Sequence, residues 1–126
     1  MERNLFMANT PLVVLESAAA ARRTGGRAQL VLLEDFDLAV RLEKLLRRWR
    51  DNPFEDIVRL PGRHEEHRRV PGAQRGVGAL ARRLQAKRDI RREAMALLRA
   101  LDERFEPELV WVGNDKKVET QYALHL

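Results

Sequence analysis

Cysteine is absent from this 126-residue chain. That excludes disulfides, thiolate metal sites and thiol nucleophiles. Serine is nearly absent too: Ser17 stands alone, which argues against serine-nucleophile chemistry. Aromatic residues make up only 6% of the chain, with Tyr122 its one tyrosine. A surface that stacks nucleobases needs more of them. No apolar run approaches the roughly 18–20 residues that a membrane helix requires. The N-terminus has the outline of a weak signal peptide, with an arginine at position 3 and apolar residues from Leu5 to Leu15. Asn9-Thr10-Pro11 interrupts that stretch, and the segment reads better as part of the fold.

What is present is a globular composition, 44% hydrophobic and 34% charged, of a length for one domain and not two. The formal net charge is +5, and 20 of the 24 basic residues are arginine. Charge is unevenly spread. Positions 63–104 hold 12 basic and 6 acidic residues, a net +6, and the remainder sums to −1.

Four short apolar runs alternate with amphipathic stretches. Leu5–Ala8, Ala28–Leu33, the segment 54–60 with Ile57, Val58 and Leu60 as its apolar part, and Leu109–Val112 have the largely apolar character of buried strands. Thr10 and Pro11 are suited to cap and open a helix over 12–23, with Gly25-Gly26 stopping it. Asp37 can cap a second helix, whose stripe of Leu38, Leu42, Leu45, Leu46 and Trp49 ends at Asn52-Pro53. Positions 63–78 read as a loop. A long helical stretch from Leu80 to Phe105 carries two stripes, Leu80 with Leu84 and then Ile90, Ala94, Leu97, Leu98 and Leu101. The step from 84 to 90 fits neither stripe and predicts a kink, or two helices meeting, near Lys87. Trp49 and Trp111 fall at expected core positions, and a last helix is expected from Val118 to Leu126. The alternation predicts an α/β fold: a Rossmann-like parallel sheet with helices on both faces. Because the chain stops inside its last predicted helix, it is expected to be the N-terminal part of a longer protein.

Open parallel sheets bind ligands beyond the carboxyl ends of their strands. Those ends are Asn9-Thr10-Pro11, Glu34-Asp35, Pro61-Gly62 and Gly113-Asn114-Asp115. The helix starts after the first and last also offer free N–H groups to an anion, although Asn9, Thr10, Asn114 and Asp115 serve equally as plain caps. Lys116 and Lys117 sit in a first helical turn, where the dipole disfavours cations. They are candidates for an anionic ligand or are simply solvated. Arg82, Arg83, Arg88, Arg91, Arg92 and Arg99 predict a positive face for a polyanion. The alternative is a solvated face with local ion pairs, such as Asp89 with Arg92. His64-Glu65-Glu66-His67 has its histidines at i, i+3, the wrong spacing for a zinc helix, so no metal is expected. Gly76-Val77-Gly78-Ala79-Leu80-Ala81 loosely fits a dinucleotide fingerprint but does not follow the first strand. There is no Walker A sequence, and no cofactor is expected.

Asn4-Leu5-Phe6-Met7-Ala8-Asn9-Thr10-Pro11-Leu12 resembles the start of bacterial sialyltransferases and polysialyltransferases of capsule and lipooligosaccharide synthesis. Gly113-Asn114-Asp115, with Glu119 and Gln121-Tyr122 after it, is similar to a stretch that follows their fourth strand. The resemblance implies half of a GT-B fold, the acceptor side of a glycosyltransferase. Its partner would be a C-terminal domain that holds CMP-activated sialic acid. It further implies that Asn9, Thr10, Pro11, Gly113, Asn114 and Asp115 line the cleft. An acidic glycan would be the acceptor, in the cytoplasm or against the inner membrane surface. The acidic-acidic-glycine and His-Pro motifs of sialyl transfer are missing, and His125 has no proline after it. No catalytic residue is therefore assigned, and the isolated chain is expected to be inactive. The rival readings are a stand-alone flavodoxin-like binding or regulatory domain with a basic face for polyanions, and a nucleic-acid module, which the scarcity of aromatics disfavours.

Overall fold

The computed structural model describes residues 2–34, 39–62, 65, 68, 69 and 76–112. Four strands, β1 (Arg3–Ala8), β2 (Arg27–Leu33), β3 (Asp56–Leu60) and β4 (Leu109–Val112), form one sheet. Its order is β3-β2-β1-β4 and every pairing is parallel. Helices α1 (Pro11–Thr24), α2 (Ala39–Arg48) and α3 (Val77–Phe105) cover it. The fold is Rossmann-like α/β, with helices on both faces of the sheet.

The alternation of side chains along each strand divides the core. Phe6, Ala8, Leu30 and Leu32 point to one face and pack with Val14, Ala18 and Leu46 of α1 and α2. Leu5, Met7, Val31, Leu33 and Leu60 point to the other, under Ala94, Leu98, Leu101 and Phe105 of α3. Leu5–Leu15 is thus β1 and the opening of α1, and the β1 part is buried.

Helix α1 begins as its sequence dictates. Thr10 is extended and its hydroxyl accepts from the Val13 N–H at 3.3 Å, with Pro11 in the first turn. Gly25 closes it in the left-handed region, φ 66°, with its N–H on Ala21 O at 3.2 Å. Gly26 has a different role. A Cβ there would strike the Glu2 carbonyl oxygen, and that oxygen accepts the Arg27 N–H at 2.8 Å. Only glycine allows β2 to start so close to the approach of β1.

Several expectations fail. No kink or junction occurs near Lys87: α3 is one helix of 29 residues from Val77, three residues earlier than expected, with Gly76 as its N-cap. The loop expected over 63–78 also fails at Glu65, Arg68 and Arg69, which are helical. The buried residues of α3 are Ala79, Ala86, Ile90, Ala94, Leu98, Leu101 and Phe105, stepping by four or three from Ala86 onward, and Leu80 and Leu84 are exposed instead of forming a second stripe, as is Leu97 of the first. In α2, Leu46 is buried while Leu45 and Trp49, just past the helix, are exposed. Trp49 lies under the Arg22 guanidinium, 4.6 Å from its ring centre. Trp111 is 40% exposed because β4 is an edge strand. The expected cap at Asp37 and the expected helix over 118–126 lie outside the described residues.

Helix α3 is longer than the sheet it covers. At about 1.5 Å per residue it spans about 43 Å, against roughly 13–23 Å for strands of 4–7 residues. Its C-terminal end sits at the amino ends of the strands: Arg3 Nε donates to Glu106 O at 2.7 Å, and the Arg27 guanidinium lies 5.3 Å from the Phe105 ring. The α3 residues that share a core cluster with the strands begin at Ala94. The helix therefore outruns the sheet at its carboxyl edge by its first half.

Candidate functional site

Strand order reverses between β1 and β4. The chain moves outward from β1 through β2 to β3, then crosses to the far side of β1. At such a reversal the connections leave in opposite directions and open a crevice at the carboxyl ends. The flavodoxin-like alternative requires β1 beside β3, an order that is not found. Register sets Met7 beside Val112, so β1 and β4 leave the sheet together.

Charge pairing separates the two sides of the carboxyl edge. On the β2–β3 side, Glu34 is buried at 3% exposure. Arg68 Nη2 reaches Glu34 Oε1 at 2.7 Å and Glu65 Oε2 at 2.5 Å. Arg59 lies 3.9 Å from Glu34 and 3.1 Å from Glu43. Arg69 bridges Glu65 at 3.0 Å and Glu93 of α3 at 2.8 Å. Glu93, then Glu65, raises the Arg69 guanidinium above its ordinary value. These groups are committed to one another. In the sequence Glu34 is only a strand end; its burial and its arginine partners are tertiary facts with no local signal.

The β1–β4 side is different. Asn9 is half-buried at the end of β1, and its side chain has no partner among the described residues. A carboxamide supplies both a donor and an acceptor to ligand hydroxyls. Thr10 is committed to its cap, and Pro11 is exposed. No acidic residue occupies the first turn of α1, which leaves its positive end open to an anion. Beside it, between α1 and β4, runs a groove of about 310 Å³. Phe6, Val13, Ala20 and Trp111 line it, with Glu16 and Arg23 also present. The Trp111 ring stacks on Phe6 at 5.6 Å and 15°.

The fold thus brings Asn9, Thr10 and Pro11 to the crevice. Gly113, Asn114, Asp115, Lys116 and Lys117 lie outside the described residues, as do His64, Glu66 and His67. The six arginines do not share one face of α3. At 100° per residue, Arg88, Arg91, Arg92 and Arg99 fall within an arc of about 100°, while Arg82 and Arg83 turn away. Arg83 is half-buried and Arg99 pairs with Glu103 at 3.6 Å. The local pair expected of Asp89 with Arg92 is not found; Asp89 accepts from Gln85 at 3.0 Å instead.

No family model, curated protein or solved structure matches this chain. Fold and site define a Rossmann-like domain whose strand order switches between β1 and β4. Among the described residues, no helix is long and apolar enough to cross a membrane.

Proposed function

We propose that this chain is the acceptor-side, Rossmann-like half of a glycosyltransferase that transfers sialic acid or a related acidic sugar. The reversal of strand order between β1 and β4, with Asn9 at its mouth and without a side-chain partner among the described residues, carries this reading. Three further features support it. The positive end of α1 opens beside Asn9 and suits an anionic group. The half-exposed indole of Trp111 offers an apolar face to the C–H side of a sugar ring. The resemblance of residues 4–12 and 113–122 to sialyltransferases supplies the reaction: an acceptor hydroxyl attacks the anomeric carbon of the donor and CMP leaves. In this reading the donor, CMP-sialic acid, binds to a second domain, and this chain positions the acceptor glycan.

An amide-shift NMR titration tests the proposal. An acidic oligosaccharide is expected to shift Asn9, Thr10 and 113–117, while CMP shifts little and CMP-sialic acid is not turned over. Shifts confined to the arginines of α3 and abolished by salt would replace the cleft with general polyanion binding.

A further inference from the structure

The first half of α3 buries Ala79, Ala86 and Ile90 on one side, and on another it carries a surface that the switch point does not use. Val77, Leu80 and Leu84 are 86%, 56% and 54% exposed. Their spacing, i, i+3 and i+7, sets them on one helix face, and Arg88, Arg91 and Met95 continue it. All six fall within an arc of about 80° at 100° per residue. Arg92 flanks the arc, and Arg88, Arg91, Arg92 and Met95 line a shallow depression of about 330 Å³. Arg88, Arg91 and Arg92 have no ion pair among the described residues. Between 77 and 92 there are six basic residues and one acidic residue, Asp89, which lies off the arc.

These features are unfavourable for the chain in water. Exposed Val and Leu gain nothing from solvent, and like charges at i, i+3 and i, i+4 repel. Packing of α3 on the sheet does not require them, since the α3 residues that share a core cluster with the strands begin at Ala94.

We propose that this face of α3 docks on an anionic lipid surface. Val77, Leu80 and Leu84 enter below the headgroups, and Arg88, Arg91 and Arg92 pair with lipid phosphates. A lipid surface is the occupant whose chemistry uses both halves of the stripe. A nucleic-acid backbone would take the arginines and leave the leucines in water. Position supports the assignment, because the stripe lies beyond the carboxyl edge, clear of both core clusters. None of these residues belongs to the switch point, so the lipid face stands whether or not the crevice binds a glycan.

The test is co-sedimentation of the full chain with phosphatidylcholine vesicles, with and without phosphatidylglycerol. Binding is expected only with phosphatidylglycerol, and it should weaken as salt rises. Arg88→Gln with Arg91→Gln should cost about thirtyfold in affinity, from about 1 kcal/mol per arginine. Leu80→Gln with Leu84→Gln should cost roughly tenfold or more. Both pairs are solvent-exposed, so circular dichroism should show an unchanged fold. Leu12→Gln with Leu15→Gln, on exposed positions of α1, should bind as the parent does. The proposal is overturned by equal binding to neutral vesicles, by no binding, by full retention in the Leu80/Leu84 variant, or by equal loss in the Leu12/Leu15 variant.

Discussion

The indole Nε1 of Trp111 donates to Oδ1 of Asn4 at 3.1 Å, joining the edge strand to its neighbour from the side. Asn4 is fully buried, and its Nδ2 has no partner among the described residues. The side-chain amide of Asn4 therefore depends on Trp111. Trp111→Phe keeps an aromatic ring over Phe6 but leaves that amide wholly unpaired. The expected loss is about 1–3 kcal/mol in urea unfolding. An unchanged midpoint would show that solvent already satisfies Asn4.

The two halves of α3 should respond oppositely to truncation. Leu98 is 1% exposed against Leu5, Met7 and their neighbours. Leu98→Ala should cost about 2–5 kcal/mol. Leu84→Ala, one of the leucines expected in a core stripe, should stay within about 0.5 kcal/mol of the parent. Denaturant midpoints of the pair check the assignment of the buried face.

Neighbouring residues at the crevice should separate folding from binding. Thr10→Ala removes the cap of α1 and should cost about 1 kcal/mol, with Thr10→Ser restoring it. Asn9→Ala removes no described contact and should leave thermal unfolding unchanged. Its oligosaccharide-induced amide shifts should nonetheless disappear. A fully retained response would remove Asn9 from the site.

At the opposite edge of the sheet, Arg27 grips Glu55 with two bonds, at 3.0 and 2.8 Å, and Gln29 adds a third at 3.1 Å. The Arg27 hydrogen bond, chiefly, holds the Glu55 carboxyl below its ordinary range, with partial burial opposing it. A depressed carboxyl stabilises the fold above the unfolded value, about 4.3. That contribution is lost as pH falls through the depressed folded value. Glu55→Gln should therefore flatten the acid limb of stability against pH and leave the slope above neutrality unchanged.

Some of this architecture is legible in the sequence because parallel strands covered on both faces leave plain apolar runs, as in Leu30–Leu33 and Leu5–Ala8. The start of α1 is equally legible, since Thr10 and Pro11 act through local bonds. Strand order is not, because no periodicity records which strands are neighbours. Leu84 and Trp111 mislead for a related reason. One lies on a helix longer than the sheet beneath it, the other on an edge strand, and both conditions belong to the assembled fold. Gly25 and Gly26 read as one helix stop; only Gly25 ends the helix, while Gly26 admits the carbonyl of Glu2.

The pairing of β1 with β4 has a kinetic consequence. Asn4 sits in register with Leu109, 105 positions later, whereas Asn4 and its β2 partner Ala28 are 24 apart. Closing the longer loop costs only about 1.3 kcal/mol more by chain statistics, but contacts so distant in sequence slow the search. β1, α1 and β2 can assemble from near neighbours, and β4 then finds a slot already built. Substitutions at Trp111 should accordingly speed unfolding and leave the refolding rate almost untouched.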